Sequence, residues 1–119
     1  MSTAPFQTLA LQAFDIVVVP FPFTDRATTK RRPALVLSTA QFNQQAQHAV
    51  MAMITSTEQS GWPGDCTIEN LDAAGLPAQC VVRLKLFTLD HRLVIRKAGA
   101  LGMKDQKKLR AAWKGLLAL

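Results

Sequence analysis

Residues 80–87 read CVVRLKLF, and the stretch alternates cleanly: Val82, Leu84 and Leu86 face one way, Val81, Arg83 and Lys85 the other. It is a strand with one apolar face and one face carrying two cations. Outward from it, further extended segments appear. QHAVMAMITS (47–56) sets Ala49, Met51 and Met53 against His48, Val50, Ala52 and Ile54. PALVLS (33–38) is a strand. FDIVVVPFPF (14–23) is a β-branched run that must end or lie at a sheet edge near Pro20 and Pro22, which have no N–H for a ladder. DCTIEN (65–70) predicts a short strand and HRLVIRKAGAL (91–101) a last one, with GWPGD (61–65) as a turn and LDAAGLP (71–77) as a break. Residues 1–12 carry little periodicity and read as a loose lead-in. From Met103 the period changes. Leu109, Ala112, Trp113, Leu116 and Leu117 fall at helical spacing with Lys104, Lys107, Lys108 and Lys114 largely opposite, which predicts an amphipathic helix over 103–118 with Trp113 in the core. Five or six short strands and one closing helix imply a mainly β fold: an antiparallel, strongly bent sheet or small barrel capped by that helix.

The 119 residues and 49% hydrophobic content suit a single domain over 1–119. A net charge of +6 favours anionic partners such as nucleic acid, lipid headgroups or an acidic protein, without choosing between them. Cys66 and Cys80 are too few for a disulfide scaffold, and nothing near them has paired zinc-ligand spacing, so both read as idle thiols. No run approaches the roughly 18 apolar residues of a membrane span. The first residues lack the cationic start of a secretory leader, and the expected compartment is the cytoplasm.

Several site types drop out. The chain has no glycine-rich phosphate loop, no serine elbow and no His/Cys cluster, since His48 and His91 lie on separate segments; no metal or cofactor is expected. What remains is a set of guanidiniums and hydroxyls. TDRATTKRRPALVLS (24–38) sets Lys30, Arg31 and Arg32 against Pro33, which biases Arg32 to extended backbone at the mouth of a strand. Thr55 ends a later strand, and Arg83 lies on the polar face of CVVRLKLF. If the sheet curls, these strand ends can converge on one rim, and two guanidiniums with a hydroxyl suit a phosphodiester. A guanidinium binds phosphate bidentately and stabilises the charge of a pentacoordinate phosphorus, but is a poor base. Such a site fits a substrate with a tethered nucleophile, as the 2′-hydroxyl of RNA is. On physics alone, the same three cations read first as a solvated basic loop.

DIVVVPFPFTD, KRRPALVLS, AMITS, VVRLKLFTLD and RKAGALG resemble, in order and spacing over residues 14 to about 102, the MazF/PemK toxins of bacterial toxin-antitoxin pairs, and most closely the PemK-like branch. The resemblance implies a CcdB/MazF-type, SH3-like barrel that forms a homodimer, and metal-independent cleavage of single-stranded RNA to a 2′,3′-cyclic phosphate and a 5′-hydroxyl. It implies catalytic roles for Arg32, Thr55 and Arg83, and a cognate antitoxin whose acidic tail lies along the basic face. Lys85 stands where many relatives carry an acidic residue, and Phe14 where many have glycine. Lys30 and Arg31 are expected to draw in the polyanion, Lys85 to add phosphate affinity, and Trp62 to stack on an unpaired base. Phe21 and Phe23 are candidates for stacking too, with core or hinge packing as their simpler reading. Two other functions stay open: a non-catalytic gyrase inhibitor of the CcdB kind on the same barrel, and a plain nucleic-acid-binding barrel.

Overall fold

Successive β-branched residues at 16–19 favour extended backbone, and they form the middle of β1 (Asp15–Phe21). The computed structural model describes residues 10–21, 30–57 and 61–119; Phe23 and most of the TDRATTK loop lie outside these. β2 (Lys30–Val36) starts three residues earlier than its apolar run, so the cations belong to the strand. β3 (His48–Ser56), β4 (Cys66–Thr67), β5 (Cys80–Asp90) and β6 (Arg96–Ala100) complete one sheet in the order β4-β5-β3-β2-β1-β6. Every neighbouring pair is antiparallel, and the sheet curls into a half-barrel, the mainly β architecture expected. β6 is shorter than expected because Asp90 caps a 3₁₀ turn over His91–Leu93.

Among the described residues three α-helices accompany the sheet. α1 (Ala40–Ala46) was not legible as a helix because its AQFNQQA has no apolar stripe. The Thr39 hydroxyl caps it, accepting from the Phe42 N–H at 3.3 Å. α2 (Leu71–Ala74) is a single turn within the expected break, capped by Asn70 and ended by Gly75 at φ +71°. α3 (Met103–Trp113) is the closing helix, but it stops five residues before the expected end at 118. Lys114 has left helical geometry (φ −63°, ψ 124°) and Gly115 turns the chain at φ +89°. Leu116 and Leu117 therefore fall off the apolar stripe and stand 48% and 40% exposed.

Both faces of the sheet are buried. Ile16, Leu35, Ala52, Ile54 and Val82 pack on one side with Leu109 and Trp113 of α3. Val17, Val19, Ala34, Val36 and Met51 form a second cluster on the other. A strand buried on both sides loses the apolar/polar alternation, which is why β1 reads as a continuous run. Trp113 is core, as expected, and its indole N–H donates to the Gly64 carbonyl at 2.7 Å, tying α3 to the 62–65 turn.

Candidate active site

Opposed residues in an antiparallel ladder present their side chains on the same face. Ala34 opposes Met53, and Met53 opposes Arg83, so these three form a row across β2, β3 and β5. The β2–β3 pairs end there, one residue past Pro33, which has no N–H to offer a ladder. Continued by two residues, the same register puts Arg32 opposite Thr55, which itself opposes Val81. Arg32, Thr55 and Arg83 thus share one face at one end of the sheet, in adjoining rows. Arg32 opposes Val19 on its other side, so this is also the face of the second apolar cluster.

Alternation along β2 separates the remaining cations of the basic stretch. Lys30 shares the face of Arg32, whereas Arg31 points to the opposite side of the sheet; both are exposed. Arg32 and Thr55 are half-buried. Among the described residues, neither the Arg32 guanidinium nor the Thr55 hydroxyl makes a hydrogen bond or ion pair, so both are available to a ligand.

A different order prevails around Arg83. The ladder between β3 and β5 shifts at Ala52/Met53, where Leu84 and Lys85 are extra residues on β5, and this bulge turns Lys85 out to solvent. Lys85 Nζ lies 4.4 Å from the centre of the Trp62 ring, and the Arg83 guanidinium carbon lies 6.0 Å from it. The indole N–H of Trp62 donates to the Leu84 carbonyl at 3.2 Å, and the residue stays 42% exposed. Trp62 of the 61–65 turn and Arg83 and Lys85 of β5, all expected to act on RNA, are one patch. Phe21, at the end of β1, is half-buried.

Asp65, which the sequence presents as part of a turn, lies against Arg83. Its carboxylate receives Arg83 Nε at 3.1 Å and Nη2 at 2.9 Å, a two-pronged ion pair. Those hydrogen bonds hold the Asp65 carboxyl below the usual carboxylate range, and they raise the already high Arg83 pKa. The signal lay in pairing register: Cys66 opposes Val82, so Asp65 is next in line opposite Arg83. Nothing local in GWPGD announces it.

The remaining nucleophiles and bases lie apart or inert. His48 opposes Asp90 at the far end of the β3–β5 ladder, and His91 is buried beyond it. Burial pushes both thiols, Cys66 and Cys80, above the usual range. Among the described residues no group of three or more His, Cys, Asp or Glu is placed to hold a metal ion. No helix among them is long and apolar enough to cross a membrane.

Comparison with known proteins bears on this arrangement. The fold matches the crystal structure of MazF from Deinococcus radiodurans at 24% identity, covering 93% of this chain and 99% of that one, with a TM-score of 0.71. The MazE-MazF complex from the same organism matches at 24% identity over 91% of this chain and 96% of that one, with a TM-score of 0.72. A mycobacterial endoribonuclease in complex with its cognate antitoxin matches at 15% identity over 90% and 93%, with a TM-score of 0.68. These likenesses show the fold; no curated protein sequence matches the chain significantly. The sequence model of the PemK-like, MazF-like toxin of type II toxin-antitoxin systems matches residues 12–117. With that match running from before β1 to beyond α3, the chain belongs to the PemK-like, MazF-like family of toxins.

Proposed function

We propose that this protein is a toxin that cleaves single-stranded RNA without a metal ion, by attack of the 2′-hydroxyl on the adjacent phosphate. The observation that supports this most directly is the convergence of Arg32, Thr55 and Arg83 on one face, with the first two side chains uncommitted among the described residues. The O2′–P bond forms as the P–O5′ bond breaks; the 2′-hydroxyl loses its proton and the departing 5′ oxygen takes one up. Products are a 2′,3′-cyclic phosphate and a 5′-hydroxyl. The ribose supplies the nucleophile already in place, so the protein's task is to orient the diester and stabilise charge on its oxygens. Arg32 and Arg83 do the latter, and Thr55 donates to a non-bridging oxygen. Trp62 offers a face for an unpaired base, with Lys85 and Lys30 adding phosphate affinity. Arg31, on the other side of the sheet, contributes to the general field that draws in a polyanion.

On this reading the protein acts on mRNA in the cytoplasm as a homodimer, and an acidic antitoxin segment silences it by covering the cationic face. The MazE-MazF complex of D. radiodurans and the mycobacterial endoribonuclease in complex with its cognate antitoxin support the existence of such a partner. The test is cleavage of a labelled single-stranded RNA in excess EDTA, with duplex DNA as control. Wild type cuts the RNA only, and Arg32→Ala slows it by about 10²- to 10³-fold, the usual effect of removing one donor to a developing oxyanion. RNA left intact by wild type, with DNA gyrase inhibited instead, refutes the proposal.

A further inference from the structure

We propose that Asp65 is a positioning residue of this site: from the neighbouring strand's turn it holds the Arg83 guanidinium in the direction in which it meets the scissile phosphate. The inference rests on the nuclease reading and adds a residue to it.

The geometry carries it. A guanidinium is a planar fork, and two bonds along one edge fix both its plane and the direction of its other edge. Asp65 supplies both bonds, Nε to Oδ1 at 3.1 Å and Nη2 to Oδ2 at 2.9 Å. The pair is largely withdrawn from solvent, with side chains 11% (Arg83) and 19% (Asp65) exposed, so neither partner swings freely in water. Lys85, two residues beyond Arg83 on β5, is a cation and cannot do this; the carboxylate comes from across the sheet instead.

Asp65 is itself held on several sides. The Trp62 backbone N–H donates to its Oδ2 at 3.1 Å, and the Asp65 N–H closes the turn on the Trp62 carbonyl at 3.0 Å. Pro63 and Gly64, with Gly64 at φ +84°, make the sharp reversal between them. That turn is pinned to α3 through Trp113 and Gly64 and to β5 through Trp62 and Leu84. A carboxylate fixed this way and kept ionised by its partner is poorly suited to take a proton from a 2′-hydroxyl, but well suited to orient a cation.

The test is a double-mutant cycle on RNA cleavage using Asp65→Asn, Arg83→Ala and the two together. A residue acting through Arg83 lowers kcat by about 10- to 100-fold when isosterically neutralised, with KM for RNA little changed, the scale of a misplaced catalytic group. In the Arg83→Ala background the same substitution costs nothing more. An Asp65→Asn enzyme cutting at the wild-type rate, or losses that multiply in the double variant, overturns the inference while leaving the nuclease reading intact. An inactive wild type overturns that reading and this inference with it. If Asp65→Asn does not fold, Asp65→Glu gives the answer: it keeps the charge one methylene away, so a rate about 3- to 10-fold below wild type supports positioning, and an unchanged rate refutes it.

Discussion

Asp105 is the side chain whose removal has the most calculable consequence. It sits in the first turn of α3, 3% exposed, and its carboxylate leaves its own helix to accept from the segment that follows β4. The Glu69 N–H reaches both oxygens at 3.1 Å and the Asn70 N–H reaches Oδ2 at 3.0 Å. Hydrogen bonds to a charged group contribute about 1.5–3 kcal/mol each, so two donors suggest roughly 3–6 kcal/mol. Two effects reduce this in Asp105→Ala: Glu69 and Asn70 are exposed, so their freed N–H groups partly rehydrate, and alanine is the better helix former by about 0.5 kcal/mol. The net loss is about 2–4 kcal/mol, which for a chain of this length lowers the unfolding midpoint by about 8–16 °C. Thermal unfolding by circular dichroism reads the shift, and hydrogen exchange reads its cause, through lost protection at the Glu69 and Asn70 amides. A midpoint within about 2 °C of wild type, with those amides unchanged, refutes the reasoning. On the proposed function RNA cleavage falls as well, because β4 is only two residues long and the segment tethered by Asp105 begins two residues beyond it, on the far side of β4 from Asp65.

Two further outcomes are expected. Among the described residues the buried His91 has no hydrogen-bond partner at either ring nitrogen, and burial pushes its pKa below the ordinary value against the pull of Asp90. The unfolded chain therefore binds this proton more readily, so the stability is present above about pH 6.5 and is lost as pH falls below it; thermal melts from pH 7.5 to 5 should show that decline, and His91→Phe should flatten it. Gly99 of β6 packs so closely under α2 that a Cβ there would stand 2.4 Å from the Ala73 carbonyl oxygen. Gly99→Ala is expected to lose about 1–3 kcal/mol by overpacking, while Gly61→Ala, with nothing within 4 Å, leaves the melting temperature unchanged; equal melting temperatures for the two variants would count against this packing.

Phe14 shows how local and tertiary requirements can disagree. It holds φ +72°, a region in which a side chain with a Cβ is strained. Tertiary contacts hold it there. Its N–H donates to the Val36 carbonyl at 2.7 Å, its carbonyl accepts from Leu101 at 2.8 Å, and the Arg110 guanidinium lies 4.9 Å from its ring centre.

By itself the sequence determined which stretches are extended and that the chain closes on an amphipathic helix, and it offered guanidiniums and hydroxyls as the candidates for its chemistry. Period-2 and period-3.6 patterns are local properties, and five short strings in order suffice to mark a family. Register was beyond it, because a strand's partner and offset depend on every other strand in the sheet. Register, continued two residues past the last β2–β3 pair, aligns Arg32 with Thr55; it sends Arg31 to the other face and delivers Asp65 to Arg83 across 18 residues of chain. Two helical details escape the sequence for a related reason: α1 has no stripe to read, and α3, legible as the closing helix, ends where Gly115 takes a positive φ rather than where the apolar spacing stops. Tertiary structure alone decided which charges meet.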